Sequence, residues 1–193
     1  MIKSFALRAI AWVMLLLIAW YWVAAWITPS LSVMAGFLMH AIFPDWVNGA
    51  GWNQTAAVLF TDLPLSSVGE ISAQRFEAVA GVLQLGLGLP LYMALLLASR
   101  ARHVFWKILA GVLILLPFLM WSICFTWLRQ VLTLRGAYSV MELGFSPWQV
   151  SLIALADQLA KLIFPVLAPV LIWLAFERRF AEDVFLQRNN SQQ

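Results

Sequence analysis

Cysteine is nearly absent from this sequence. Cys124 is its one thiol, so no internal disulfide can form and the redox compartment cannot be read from cysteine usage. Histidine is almost as scarce, with only His40 and His103. A zinc site built from the chain's own side chains is therefore not expected, and no cofactor is implied. The His-Glu-x-x-His helix, the Gly-x-Ser-x-Gly elbow and the glycine-rich phosphate loop are all missing. Charge is also thin, at 11% of residues with a net of +3. The basic residues form no run or stripe, so nucleic acid is not an expected partner.

Apolar residues fill the space that charge leaves. They make up 63% of the chain, against about 45–50% in an ordinary soluble domain. Four apolar stretches stand out, at 5–27, 79–98, 104–127 and 150–176. A hydrocarbon core about 30 Å thick needs about 20 apolar residues as a helix. The pattern predicts an all-α membrane protein with four transmembrane helices. One membrane domain covers 1–176, with an outer loop at 28–78, a cytoplasmic turn at 99–104 and an outer loop at 128–149; a cytoplasmic tail covers 177–193. Lys3 and Arg8 before the first run give it the look of a signal peptide. The run is too long for that, and Trp26-Ile27-Thr28-Pro29 offers no small-residue cleavage site, so it reads as an uncleaved span. With both termini inside, eight basic residues are cytoplasmic, Arg100 and Arg102 of the tight turn among them, and three (Arg75, Arg129, Arg135) are outside. The positive-inside rule then places both termini in the cytoplasm.

Trp20, Tyr21, Trp22 and Trp26 cluster where the first span should meet the outer headgroups. Pro29 is expected to break that helix. The segment 30–43 is too short to span, and its Met34, Phe37, Leu38 and Ile42 recur at helical spacing, which predicts a helix lying on the outer leaflet. Residues 45–77 form the one extended polar region. Strand-like composition at 55–61 and 68–76 around a turn at 62–67 predicts a short β-hairpin there. This loop is acidic, with Asp45, Asp62, Glu70 and Glu77 against Arg75. Gly81, Gly86 and Gly88 open the second span to close approach by a neighbour. Pro90 should kink that span unless its neighbours satisfy the freed carbonyl. Ser146 and Pro147 carry the start signal of the last helix.

Asp157 and Lys161 are the most informative polar residues. They lie four apart inside the last span, on one helical face. Each costs about 2.5–3.5 kcal/mol at a helix centre, which mutual pairing offsets in part. The pair reads either as a structural ion pair that sets helix rotation or as a polar site in the bundle. Gln158 and Gln84 are candidates to extend it, and Pro165 and Pro169 loosen the same helix. Cys124 is a nucleophile only if a basic neighbour activates it; His40 lies on the same outer side, while His103 lies at the opposite turn. Arg75, Glu77, Arg129, Arg135 and Glu142 can gather at the outer surface as a site for a peptide or headgroup, or simply as a solvated rim.

The order of these elements resembles the small exosortase-associated membrane proteins, in particular the type that accompanies exosortase H. The likeness rests on Phe76-Glu77 leading into the run 86–100, on Leu116-Pro117-Phe118 with Trp121 and Cys124, and on Gly144-Phe145-Ser146-Pro147-Trp148. It implies an accessory role beside a membrane transpeptidase-like enzyme that processes proteins with a C-terminal sorting signal. It implies no catalytic residues here. Exosortases use Cys, Arg and His, and no histidine follows Cys124. The leading expectation is thus a noncatalytic accessory or assembly subunit, with the lipid bilayer and a larger membrane protein as partners. Two alternatives stay open: a small oligomeric transporter or channel subunit using Asp157 and Lys161, and a membrane enzyme with an outer-face active site at Cys124 or at Glu77 and Glu142.

Overall fold

The computed structural model describes residues 2–67, 70–99, 103–134 and 144–177. The first helix, α1, runs unbroken over Ile2–Ile42 with Pro29 inside it. The expected break at Pro29 and the separate surface helix at 30–43 are therefore corrected. Proline removes one donor and crowds the carbonyl four residues back, but packing on both sides of it decides the outcome. Ala24, Thr28, Leu31, Ser32 and Ala35 are buried along one face, and the Thr28 hydroxyl donates to Ala24 O at 2.6 Å. At 1.5 Å per residue α1 is about 60 Å long, about twice the hydrocarbon thickness. The stripe of Met34, Phe37, Leu38 and Ile42 is exposed, because the opposite face of α1 holds a sheet.

That sheet is three-stranded and antiparallel in the order β1-β2-β3, with β1 at Val47–Asn53, β2 at Ala56–Ser67 and β3 at Glu70–Gly81. Leu59 pairs with Ala50 on one side and Ala78 on the other. Phe76, Ala78 and Ala80 are buried while Glu77 and Val79 face out, the period of two expected of a half-buried strand. The predicted hairpin is thus present as β2 and β3, with two corrections. Residues 62–67 continue β2 instead of turning, with the register irregular around Pro64. A further strand, β1, lies where Asn48, Gly49 and Gly51 signal a loop. Tertiary contacts override that signal: the Ser32 hydroxyl donates to Gly51 O, and a ring nitrogen of His40 lies 2.7 Å from Val47 O. Gly36 permits this docking, since a Cβ there would sit 2.2 Å from Ala50 Cβ. Gly36→Leu is expected to destabilise the protein by about 1–3 kcal/mol through overpacking. Gly49→Ala, whose Cβ meets nothing within 4 Å, serves as the control. Paired melts in mild detergent check this, and equal melting of the two variants would refute it.

Below the sheet, α2 (Val82–Leu85) and α3 (Gly88–Ala98) form an interrupted apolar helix. Three helical stretches have the length and composition to cross a membrane, Phe5–Ile42, Val104–Thr133 and Pro147–Phe176, and Val82–Ala98 is a shorter apolar helix beside them. The predicted second span at 79–98 is therefore shortened, because 79–81 belong to β3. Gly86 and Gly88 do sit under close neighbours, Trp20 and Pro165, whereas a Cβ on Gly81 would meet nothing nearer than 3.9 Å. Helix α4 covers Val104–Leu134 with Pro117 inside it. Helix α5 covers Pro147–Gln158, and its start matches the sequence signal. Gly144 has φ +68°, Ser146 is the cap with Pro147 in the first turn, and the Gln149 side-chain oxygen accepts from Ser146 N–H at 2.8 Å. A π-helical turn at Leu159–Ile163 leads into α6 at Phe164–Phe176. Pro165 accounts for it: its ring cannot donate to the carbonyl four residues back, and Phe164 N–H reaches Leu159 O, five back, instead. The core lies where α1, α3, α4 and the sheet meet, around Trp127, Tyr92, Met39, Leu59 and Leu96.

Candidate functional site: an ion pair near the sheet end of the bundle

The α5 helix and the π turn bring Asp157 and Lys161 onto α4. Lys161 Nζ lies 2.8 Å from Asp157 Oδ1 and 2.9 Å from Oδ2. The Asp157 side chain is 8% exposed and that of Lys161 45%. The Thr126 hydroxyl donates to Asp157 Oδ1 at 3.0 Å, so the carboxylate has two partners while the ammonium keeps an open side. Ser122 Oγ lies 2.8 Å from Phe118 O and 3.5 Å from Ala160 O. The second contact faces a carbonyl that lost its regular donor when Phe164 N–H shifted to Leu159. Among the described residues no hydrogen bond joins Gln84 or Gln158 to the pair. Thr126 and Ser122 take the place expected of them, and their spacing of four on α4 was the available signal.

The depth of the pair follows from α4. Lys107 and Arg129 bracket about 20 uncharged residues of α4, about 30 Å of helix and so one hydrocarbon thickness. At the Lys107 end, Lys107 pairs with Glu177, Phe5 stacks on Trp173 at 5.7 Å, and Trp173 Nε1–H points at Ser99 Oγ 3.5 Å away. Thr126 lies one turn inside Arg129, at the sheet end. Helical side chains lean toward the helix N-terminus, so Lys161 reaches back toward that same boundary and snorkels. The pair therefore sits near the edge of the apolar slab, not at its centre, and its insertion cost is well below the mid-helix value.

The other candidates separate. Glu77 is exposed on β3 and Arg129 half-buried on α4, and no ion pair joins them. Their neighbours meet instead: Val79 N–H donates to Gln130 Oε1 at 2.8 Å, and Gln130 Nε2–H donates to Val79 O at 2.5 Å. Gln130 thus completes the edge of β3 as another strand would. Arg135, Glu142 and the Arg75 side chain lie outside the described residues. Cys124 is buried at 6% exposure, and a ring nitrogen of His40 is engaged with Val47 O. Cys124 forms part of the wall of a groove of about 740 Å³ between the end of α1, α4 and α5. Gln149 brings a side-chain amide to that wall, beside apolar residues such as Leu38, Trp121 and Leu152. Among the described residues no three His, Cys, Asp or Glu side chains cluster to hold a metal.

Comparison with known proteins adds one match. A family model described as exosortase H-associated membrane protein fits residues 1–180. No curated protein and no solved structure matches the chain.

Proposed function

We propose a noncatalytic accessory role for this chain, which belongs to the exosortase H-associated membrane protein family. It assembles with a larger protein of the bacterial inner membrane, an exosortase by the family's description, and serves protein sorting without chemistry of its own. The observation that carries this reading is how the buried polar groups of the bundle are used. Asp157 holds Lys161 and Thr126, Ser122 covers backbone carbonyls, and the Tyr92 hydroxyl donates to Lys107 O at 2.6 Å. Each maintains helix packing.

In this reading the chain crosses the bilayer four times. The α2–α3 segment descends from the sheet to Ser99 beside Trp173 and counts as the second crossing. Both termini face the cytoplasm with the Lys107–Glu177 end, as the positive-inside bias favours, and the sheet stands outside. The test is recovery of the partner from native membranes with a tagged chain. A stable heteromeric complex in mild detergent is expected, and a lone monomer sinks the proposal. Cys124→Ala is expected to keep partner recovery and sorting output within twofold of wild type; loss of output with the complex intact would favour the outer-face enzyme instead. The transporter reading retains one observation, the π turn that carries Lys161, since such turns recur at functional sites. Unchanged sorting after both Asp157 and Lys161 become leucine removes it.

A further inference from the structure

The groove between α1, α4 and α5 runs across the boundary of the apolar slab. Its lower wall includes Pro117 and Trp121, and its upper wall includes Leu38 and Phe145. The lower wall lies below the level of Arg129. The upper wall lies above it: α5 climbs from Asp157, level with Thr126, to Pro147, which puts Phe145 about 10 Å beyond Arg129 by helical rise. The Phe43 ring at the end of α1 meets Phe145 there, with centroids 6.0 Å apart. From Phe43 the apolar surface continues down α1 toward the boundary, where Phe37 is 76% and Met34 59% exposed, because β1 occupies the other face of this helix.

No single solvent suits such a surface. Lipid chains can cover the lower wall but not the part that rises into the headgroups and water. A soluble partner covers the upper wall and cannot enter the lower. A helix that crosses the bilayer and continues past its surface covers both, laying one apolar face along the groove in the helix-in-groove mode. Methionines on the walls, Met39 and Met120, can repack around its side chains.

We infer that the groove seats an apolar membrane-crossing helix of the partner protein, which continues outside the bilayer along residues 34–42 of α1. This rests on the accessory reading and deepens it by naming the surface and the shape of what docks there. The test places a photoreactive benzoylphenylalanine at Leu38 or at Trp121, which is 44% exposed, one above and one below the boundary, in cells that also produce the exosortase. Leu109 and Leu171, exposed elsewhere on the bundle, are the controls. Both groove positions are expected to crosslink to the same apolar segment of the exosortase, at least tenfold more than the controls. Adducts to lipid alone, adducts to a second copy of this chain, or equal crosslinking at the controls would each overturn the inference. Leu38→Glu, at a site 45% exposed, is expected to cut partner recovery at least tenfold without changing the melting temperature. Full recovery with this variant removes the groove and leaves the accessory role standing, whereas no recovery with the wild type removes both.

Discussion

Trp127→Ala is expected to produce the largest loss of stability of any single substitution in the sheet-side core, about 3–5 kcal/mol. Trp127 is fully buried at 0% exposure, and its indole N–H donates to Ala57 O at 3.2 Å. Ala57 belongs to the central strand, so this one side chain ties α4 to the middle of the sheet. Truncation removes most of a large apolar surface, opens a cavity in a tightly packed region, and leaves a backbone carbonyl without that donor. Trp127→Phe separates the contributions. It keeps much of the burial and loses the hydrogen bond, for which about 1 kcal/mol is expected beyond the change in packing. Detergent melts measure the size of the effect, and protease cutting within 45–81 measures whether the sheet loosens first. An alanine variant within about 1 kcal/mol of wild type, on the scale of one hydrogen bond, would show that the sheet does not depend on this anchor.

Asp157 and Lys161 give the second large effect, which is non-additive in sign. Asp157→Ala leaves the ammonium of Lys161 facing an apolar neighbourhood and frees Thr126. Removing one partner of a buried pair costs about 3–5 kcal/mol. The low end or less is expected here, about 2–3 kcal/mol, because Lys161 is 45% exposed and sits near the slab boundary, where solvent and headgroups screen it. The double variant Asp157→Leu with Lys161→Leu removes both charges and is expected to lie within about 1 kcal/mol of wild type, since a hydrophobic pair of similar volume often replaces a buried ion pair without loss. The coupling is read from a double-mutant cycle of unfolding in detergent. A double variant as unstable as Asp157→Ala would mean that the charges contribute more than mutual compensation, and the structural account of the pair would fail.

Much of this molecule is legible from local pattern. The cap of α5 is written in Gly144, Ser146, Pro147 and Gln149, all within one turn of the helix start. The strand composition leading to Phe76 is equally local, whereas the strand's continuation to Gly81 runs into residues that hydropathy assigns to the second span. Pro29 shows where local pattern misleads. A proline signals a break, but in α1 the residues on either side are held against α3 and β1, and the helix continues. The strand β1 is the converse case: Asn48, Gly49 and Gly51 argue for a loop, and it pairs because Ser32, Gly36 and His40 present a surface that only a close backbone can meet. The site divides in the same way. The spacing of Asp157 and Lys161 is visible in one turn of helix, whereas Thr126 lies 31 residues away from Asp157 in sequence.

What the sequence determined by itself is the medium. Hydropathy sums over neighbouring residues, so long apolar helices, their caps and the scarcity of reactive groups are readable without coordinates. The tertiary structure alone decided where the polar pair sits in depth, which strand joins the sheet, and that an apolar groove runs from the slab to beyond its edge. Each of those is a relation between residues distant in the chain, set by packing and hydrogen-bond satisfaction across elements, and no window along the sequence contains both sides of it.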